Sequence, residues 1–148
     1  MTYKRKYWRY SFIKPDRTLR NNLMAFGFEC GRGWYPVIYE AFDKIQKYLN
    51  NWKNWKLRKD FRVVQVKEKF GGLRIYCNFD TDYIDNIINE ACRIAYETCE
   101  NCGTKDNNVS TRTVYGWMTT LCEPCANKSE EESAKRLETF KAQLKDLK

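Results

Sequence analysis

Two closely spaced pairs of cysteines constrain the fold of this 148-residue chain more than any other feature of its sequence. Cys99 and Cys102 form one pair, Cys122 and Cys125 form the other, and nineteen residues separate the two pairs. This pattern lies within the spacing expected of four thiolate ligands around one tetrahedral zinc ion. We therefore predict one zinc ion per chain. Four protein ligands leave no position open for water, so the predicted site is structural and not catalytic.

The residues around these cysteines predict the architecture of the module. Gly103 directly follows the first pair, residues 109–121 read as a short hairpin, and Pro124 suits the first turn of a helix that carries Cys125. A zinc knuckle, then a hairpin, then a helix is the element order of a treble clef. Nucleases that use a treble clef depend on histidine for their chemistry. This chain contains no histidine, which argues against that activity.

We predict an α+β fold in two parts, a basic α+β domain over residues 1–98 and the zinc module with a terminal helix over residues 99–148. Apolar residues recur at helical spacing in two segments of the first part, and Gly71 with Gly72 reads as a two-residue hairpin turn. The predicted elements are a basic arm over 1–20, helices over about 34–49 and 82–98, a loop over 50–60, a hairpin over about 61–79 and a terminal helix over 126–148.

The predicted hairpin has two chemically different faces. With Gly71 and Gly72 as the turn, Phe70 pairs with Leu73, and side chains alternate between the faces along each strand. One face is apolar except for Glu68, and carries Val64, Val66, Phe70, Leu73, Ile75, Cys77 and Phe79. The other face is basic and aromatic, and carries Val63, Gln65, Lys67, Lys69, Arg74, Tyr76 and Asn78.

The net charge of +8 is concentrated in two blocks of the sequence. Residues 1–20 carry seven Lys or Arg against one acid, and residues 44–74 carry ten against two. Such blocks indicate an anionic partner, although solubility alone is an alternative explanation. No apolar run approaches the roughly 20 residues of a membrane span. The first residues lack the apolar core of a secretory signal, so we expect a cytoplasmic protein with no membrane partner.

We predict a binding surface that combines the basic hairpin face with residues from two predicted loops. Lysine and arginine neutralise phosphates and aromatic rings stack on bases, while tryptophan, tyrosine and arginine also dominate protein interfaces. The alternative interpretation is an ordinary exposed sheet face. The predicted binding residues are Lys67, Lys69, Arg74, Tyr76, Arg32, Trp52 and Trp55.

Three further residues are candidates for a chemical role. Glu68 lies on the apolar hairpin face, where an unpaired carboxylate is costly, and Glu29 and Cys30 lie between glycines. Activation of the Cys30 thiol needs a base, and no histidine is present. We therefore interpret Cys30 as a packing or loop residue. The apolar residues of the terminal helix either pack on their own domain or form a homodimer; they are Ala134, Leu137, Phe140, Leu144 and Leu147.

Four sequence motifs together resemble a family of small phage and prophage zinc-binding proteins of unassigned function. They are FECGRGW, QVKEKFGGLRIY, CENCG and GWMTTLCEPCA, and they cover roughly residues 26–126. In that family the last ligand is often histidine, where this chain has Cys125, and an acid often stands where this chain has Arg32. The resemblance implies action inside an infected bacterial cell, and it implies no activity.

Three functional hypotheses follow. The first is a non-enzymatic binding protein that inhibits or modulates a host machine of defence or transcription. The second is a binder of nucleic acid or of a nucleotide signal, which uses the basic hairpin face. The third is an enzyme with a Glu/Lys/Tyr site around Glu29 and Glu68. The missing histidine and the closed metal site weaken the third hypothesis.

Overall fold

The two long helices of the N-terminal part form where apolar residues recur every three to four positions. In the computed structural model, which describes residues 9–14, 22–79, 81–106 and 108–146, α1 spans Tyr35–Leu49. Its buried face includes Ile38, Phe42 and Ile45, which are fully shielded from solvent. A second short helix, α2 (Trp55–Asp60), follows a 3-10 turn over Trp52–Asn54. The third helix, α3, spans Asp82–Tyr96 and packs against α1.

A three-stranded sheet covers one side of these helices. Its order is β1 (Phe28–Glu29), β2 (Val63–Lys69) and β3 (Gly72–Cys77), with β1 parallel to β2 and β2 antiparallel to β3. For the N-terminal part we predict only the two-stranded hairpin, because the two residues of β1 lie in a glycine-punctuated segment that reads as a loop. The α+β class is confirmed, and a second hairpin follows, of β4 (Ser110–Val114) and β5 (Trp117–Leu121).

The predicted turn of the first hairpin is wrong by one residue. Lys69 pairs with Gly72 and Glu68 pairs with Leu73, so the turn consists of Phe70 and Gly71, both at positive φ. Most residues of β2 therefore pair with β3 residues two positions earlier than predicted. A shift of two positions leaves most side chains on their predicted faces, because side chains alternate with a period of two. An irregularity after Val63 is the exception, because it places that residue in the core opposite Cys77. Phe70 is correspondingly exposed at the turn.

One other prediction for the N-terminal half needs correction: the segment predicted as a loop over residues 50–60 contains the 3-10 turn and α2. In the described part of the basic arm, residues 9–14, Tyr10 and Phe12 are buried against Phe42 of α1. The other arm residues lie outside the described part of the chain.

The C-terminal helix, α4 (Glu123–Asp146), is continuous over 24 residues and begins three residues before its predicted start. Pro124 lies in its first turn, where a missing N–H costs nothing. Leu137, Phe140 and Leu144 are all exposed, so they do not pack on their own domain. Leu147 lies outside the described residues. The predicted domain boundary at residue 98 stays a prediction.

Candidate metal centre

Four cysteine thiols from two separate segments converge at one point. The sulfur atoms of Cys99, Cys102, Cys122 and Cys125 all lie within 4.8 Å of one another. The Cys102 and Cys122 sulfurs are 3.7 Å apart. Four sulfurs at the usual zinc–thiolate bond length of about 2.3 Å would be separated by about 3.8 Å in a regular tetrahedron. The cluster therefore has the size and the ligand chemistry of a site that holds one metal ion.

A tight turn brings the first two cysteines together. The Gly103 N–H donates to the Cys99 carbonyl oxygen at 2.8 Å, and the Cys99 N–H donates to the Thr104 carbonyl oxygen at 2.8 Å. Gly103 has φ +79°, in the left-handed region that glycine adopts without steric cost. The Cys-x-x-Cys-Gly order of the sequence thus closes the turn and points both thiols to the same side.

The second cysteine pair reaches the site from a strand end and a helix start. Cys122 follows β5 directly, and Cys125 lies in the first turn of α4. The Glu100 N–H donates to the Thr120 carbonyl oxygen at 2.9 Å, which fixes β5 beside the first turn. The Asn101 side-chain amide lies 3.5 Å from the Cys125 sulfur as a donor. The observed order is turn, hairpin and helix.

Two of the thiols, Cys99 and Cys125, have pKa values shifted in opposite directions. Burial raises the pKa of Cys99, but the backbone N–H groups of Cys102, Cys122 and Asn101 outweigh it and lower that pKa to about 7. Burial, together with the neighbouring thiols, raises the pKa of Cys125 to about 12 despite the Asn101 amide. A metal ion bound as a tetrathiolate must therefore displace protons, which makes binding stronger as the pH rises.

A loop of the N-terminal part lies directly on the cysteine turn. The Gly33 N–H donates to the Glu100 carbonyl oxygen at 2.7 Å, and the Trp34 indole N–H donates to the Thr98 carbonyl oxygen at 2.8 Å. The Gly31 N–H donates to the Glu100 carboxylate at 2.8 Å. A Cβ atom on Gly33 would collide with the Cys99 carbonyl oxygen. We call this contact, Gly31–Trp34 against Thr98–Gly103, the joint.

The joint was not identified from the sequence. The glycines of FECGRGW read as loop residues, and the only sign of a close contact in the sequence is their position directly before Trp34. Only the fold shows that a close approach of two backbones requires a residue without a side chain at Gly33. Arg32, which sequence analysis assigned to a binding surface, is exposed at the joint, beside a cavity of about 330 Å³ that Cys102 and Gly103 also line.

The basic hairpin face is present, with four of the seven predicted binding residues on it. Lys67 pairs with Arg74 across the strands, and the Lys67 amine lies 5.4 Å from the centre of the Tyr76 ring. Lys69 is exposed at the end of β2. Glu29 pairs with Lys67 from β1, so this face also carries an acidic side chain.

The two predicted tryptophans lie elsewhere. Trp52 and Trp55 are on the 3-10 turn and α2, and they line a cavity of about 500 Å³ whose lining includes none of the hairpin residues. The seven predicted binding residues therefore lie in three separate parts of the fold: the hairpin face, the joint and the tryptophan cavity.

The carboxylates of the proposed enzyme site do not meet. Glu29 points to the same side of the sheet as Lys67, and its carboxylate accepts from the Gln65 side-chain amide at 2.8 Å. Glu68 points to the opposite side and accepts from the Gly71 N–H at 2.6 Å. Burial, with the nearby carboxylates of Glu100 and Glu68, raises the pKa of Cys30 to about 12. A thiol with that pKa is not an activated nucleophile.

Comparisons with known proteins add no functional assignment. No protein-family model, no curated protein and no solved structure matches this chain. Among the described residues, the helices are all too short or too polar to cross a membrane.

Proposed function

We propose that the chain is a non-enzymatic binding protein whose C-terminal module is held together by one structural zinc ion. The four cysteine thiols offer the soft, tetrahedral ligand set that zinc prefers, and four protein ligands leave no open coordination position. The order of turn, hairpin and helix supports the assignment of the module to the treble-clef type. Zinc supplies folding free energy to such a module and takes no part in chemistry.

The observation that carries the binding role is the β4–β5 hairpin, which the metal cluster anchors at its base. The first cysteine turn precedes the hairpin and Cys122 ends it, while its tip projects from the site. The tip exposes Tyr115 (59%), Trp117 (69%) and Met118 (44%). These three residue types are enriched at the centres of protein interfaces. A rigid base with an exposed aromatic tip suits recognition of another protein.

A cleft beside the tip adds a place for a side chain of the partner. It has a volume of about 660 Å³, and Tyr115 and Trp117 form one wall while Lys128 and Glu132 of α4 form another. Interface hot spots commonly consist of one aromatic residue next to such a depression. We assign this cleft and the hairpin tip to the contact with the partner protein.

The partner that fits the sequence resemblance is a host protein or protein complex in the cytoplasm of a phage-infected bacterium. On this proposal the chain inhibits or modulates a host machine of defence or transcription. The experiment is affinity capture of partners by the zinc-loaded protein from nuclease-treated bacterial lysate, compared between wild type, Trp117→Ala and Trp52→Ala. Trp52 is a matched control, since it is an exposed tryptophan on a different surface.

The expected result is one host protein that wild type and Trp52→Ala retain and that Trp117→Ala loses. Hot-spot tryptophans commonly contribute 2 kcal/mol or more, which is about a thirtyfold loss of affinity. Equal capture by Trp117→Ala and wild type would show that the hairpin tip is not the contact. Loss of the captured protein on nuclease treatment would show that nucleic acid bridges the two.

A second candidate function rests on the basic hairpin face, where Lys67, Lys69, Arg74 and Tyr76 lie together. This arrangement supports binding of nucleic acid or of an anionic nucleotide. The test variant is Lys67→Ala with Lys69→Ala, because Arg74 also donates to the Leu73 carbonyl oxygen at 2.9 Å. On a nucleic acid, removal of both cations should lower the slope of log affinity against log salt by about 1–2. An unchanged affinity at low salt would eliminate this face.

A further inference from the structure

The cavity at Trp52 and Trp55 combines exposed aromatic rings, a concave shape and positive charge without a carboxylate among its described lining residues. Two indole rings are exposed, Trp52 by 78% and Trp55 by 61%. Three cations, Lys14, Arg58 and Lys59, line the same concave space of about 500 Å³. No carboxylate belongs to the described lining of this cavity. A planar aromatic surface with only positive charge around it is the chemistry that receives a planar ring joined to an anion.

Polar contacts fix the backbone of the turn that carries the two tryptophans. Asn51 caps the 3-10 turn, with its side-chain oxygen accepting from the Lys53 N–H at 3.0 Å. The Asn54 side-chain amide donates to the Tyr48 carbonyl oxygen at 2.8 Å. A lysine amine lies near one face of each ring: Lys53 is 5.7 Å from the centre of the Trp52 ring, and Lys56 is 5.6 Å from the centre of the Trp55 ring. A base that stacks on either indole would use the other face.

One buried polar atom in the same cavity has no partner. The Ser11 hydroxyl is shielded from solvent and makes no hydrogen bond within the described chain, although the Ser11 N–H donates to the Gln46 side chain at 2.8 Å. Buried hydroxyl groups are nearly always hydrogen-bonded, and one that is not indicates a missing partner. A ligand with donors and acceptors on its ring edge or its phosphate would supply that partner.

We infer that this cavity binds a nucleotide unit: an unpaired base stacks on the indole rings while its phosphate meets Lys14, Arg58 and Lys59. The unit is either a free nucleotide or one residue of single-stranded nucleic acid, because both present the same base and phosphate. A duplex is excluded, since its bases are already stacked and paired. This site is distinct from the hairpin tip, and it goes beyond the proposed function.

The test is binding of fluorescein-labelled dT10 to the zinc-loaded full chain, measured by anisotropy at several salt concentrations. Competition by thymidine monophosphate distinguishes a free nucleotide from a single strand as the preferred source. Trp52→Ala should weaken binding about tenfold or more, since stacking on one aromatic residue has that magnitude. Three phosphate contacts should give a slope of log affinity against log salt of about −2.

Further variants keep the result interpretable. Trp52→Phe should restore much of the lost affinity, Ser11→Ala should weaken binding a few-fold, and Trp117→Ala should bind dT10 like wild type. A duplex of the same length should bind at least tenfold more weakly than dT10. The inference is overturned if Trp52→Ala binds dT10 as tightly as wild type, if the duplex binds as well as the single strand, or if polyglutamate competes as well as dT10.

Discussion

Replacing Gly33 with alanine should separate the contribution of the joint from that of the metal ligands. A Cβ atom at this position would meet the Cys99 carbonyl oxygen, and it would lie 2.5 Å from the Gly103 nitrogen and 2.7 Å from the Glu100 carbonyl oxygen. All three atoms belong to the backbone of the cysteine turn, so no flexible side chain can move aside. The methyl group must push the joint open.

The magnitude follows from two contributions. Overpacking of one methyl group against fixed atoms costs about 1–3 kcal/mol. Stretching the hydrogen bond from the Gly33 N–H to Glu100, 2.7 Å long in the structure, costs about 1 kcal/mol more. We expect the free energy of unfolding to fall by about 2–4 kcal/mol in total. Disturbing groups that orient metal ligands typically weakens metal binding about 10–100-fold, and we expect that here.

The matched control is Gly116→Ala in the turn of the second hairpin. Gly116 has φ +82°, and a Cβ atom there would meet nothing within 4 Å. This variant tests backbone strain without collision and should cost about 1–2 kcal/mol, with metal affinity unchanged. Urea denaturation measures the stability of both variants, and competition with a colorimetric zinc chelator measures their metal affinity. If Gly33→Ala binds zinc as tightly as Gly116→Ala, the joint does not support the metal site.

Three other perturbations test the metal centre, the Cys30 thiol and the hairpin turn. Cys122→Ser should remove the zinc and unfold at least the C-terminal module, because metal binding there is folding free energy; a folded variant with one zinc by elemental analysis would contradict this. Cys30 should resist iodoacetamide at pH 8, because burial raises its pKa to about 12. Since the folded-state pKa of Cys30 lies above the ordinary value of 9.0, its contribution to stability is complete below pH 9 and is lost as the pH rises towards 12. Rapid alkylation of Cys30 itself in the native protein at pH 8, located by peptide mass spectrometry, would refute the burial argument. Gly71→Ala should lower the urea midpoint, because Gly71 has φ +75° and its Cβ atom would lie 2.5 Å from the Thr111 methyl group; an unchanged midpoint would place the turn elsewhere.

The features that the sequence predicted well are those set by short-range periodicity or spacing. The apolar stripe of α1 is visible without any knowledge of its partners, and the spacing of the four cysteines predicts the convergence of their thiols at one point. The segment that forms the 3-10 turn and α2 was missed because its exposed tryptophans and lysines give no apolar stripe. The Asn51 side chain caps the 3-10 turn, and α2 begins at Trp55 without a side-chain cap, so the sequence carries no helix-start signal for it.

The register of the first hairpin could not be decided from its own residues. Two adjacent glycines permit a turn at either of two positions, and both keep the same faces. Contacts with more distant parts of the chain distinguish the two turn positions. The Thr120 hydroxyl donates to the Gly71 carbonyl oxygen at 2.6 Å, and a side chain at Gly72 would meet the Tyr96 hydroxyl. Phe70 accordingly adopts φ 53°, which a strand-forming residue rarely does.

The predicted binding residues do not form one continuous surface, for a related reason. Lys67, Arg32 and Trp52 belong to one basic and aromatic half of the sequence, and charge counts along the chain treat them as one surface. The fold distributes them over the hairpin face, the joint and the tryptophan cavity. Composition therefore indicates candidate binding residues, while only the topology shows which of them lie close enough together to touch one ligand.

The joint explains why the metal centre matters beyond its own module. Trp34 is fully buried in the main core, and its indole N–H donates to the Thr98 carbonyl oxygen, one residue before the first cysteine. Thr120 makes a second link of the same kind, since it is fully buried and bonds to the turn of the first hairpin. On the proposed function, a zinc ion bound by the four cysteines would hold the turn that follows Thr98, and its removal should weaken the Trp34 hydrogen bond. We therefore expect chelation of the metal to destabilise the main core as well as the C-terminal module.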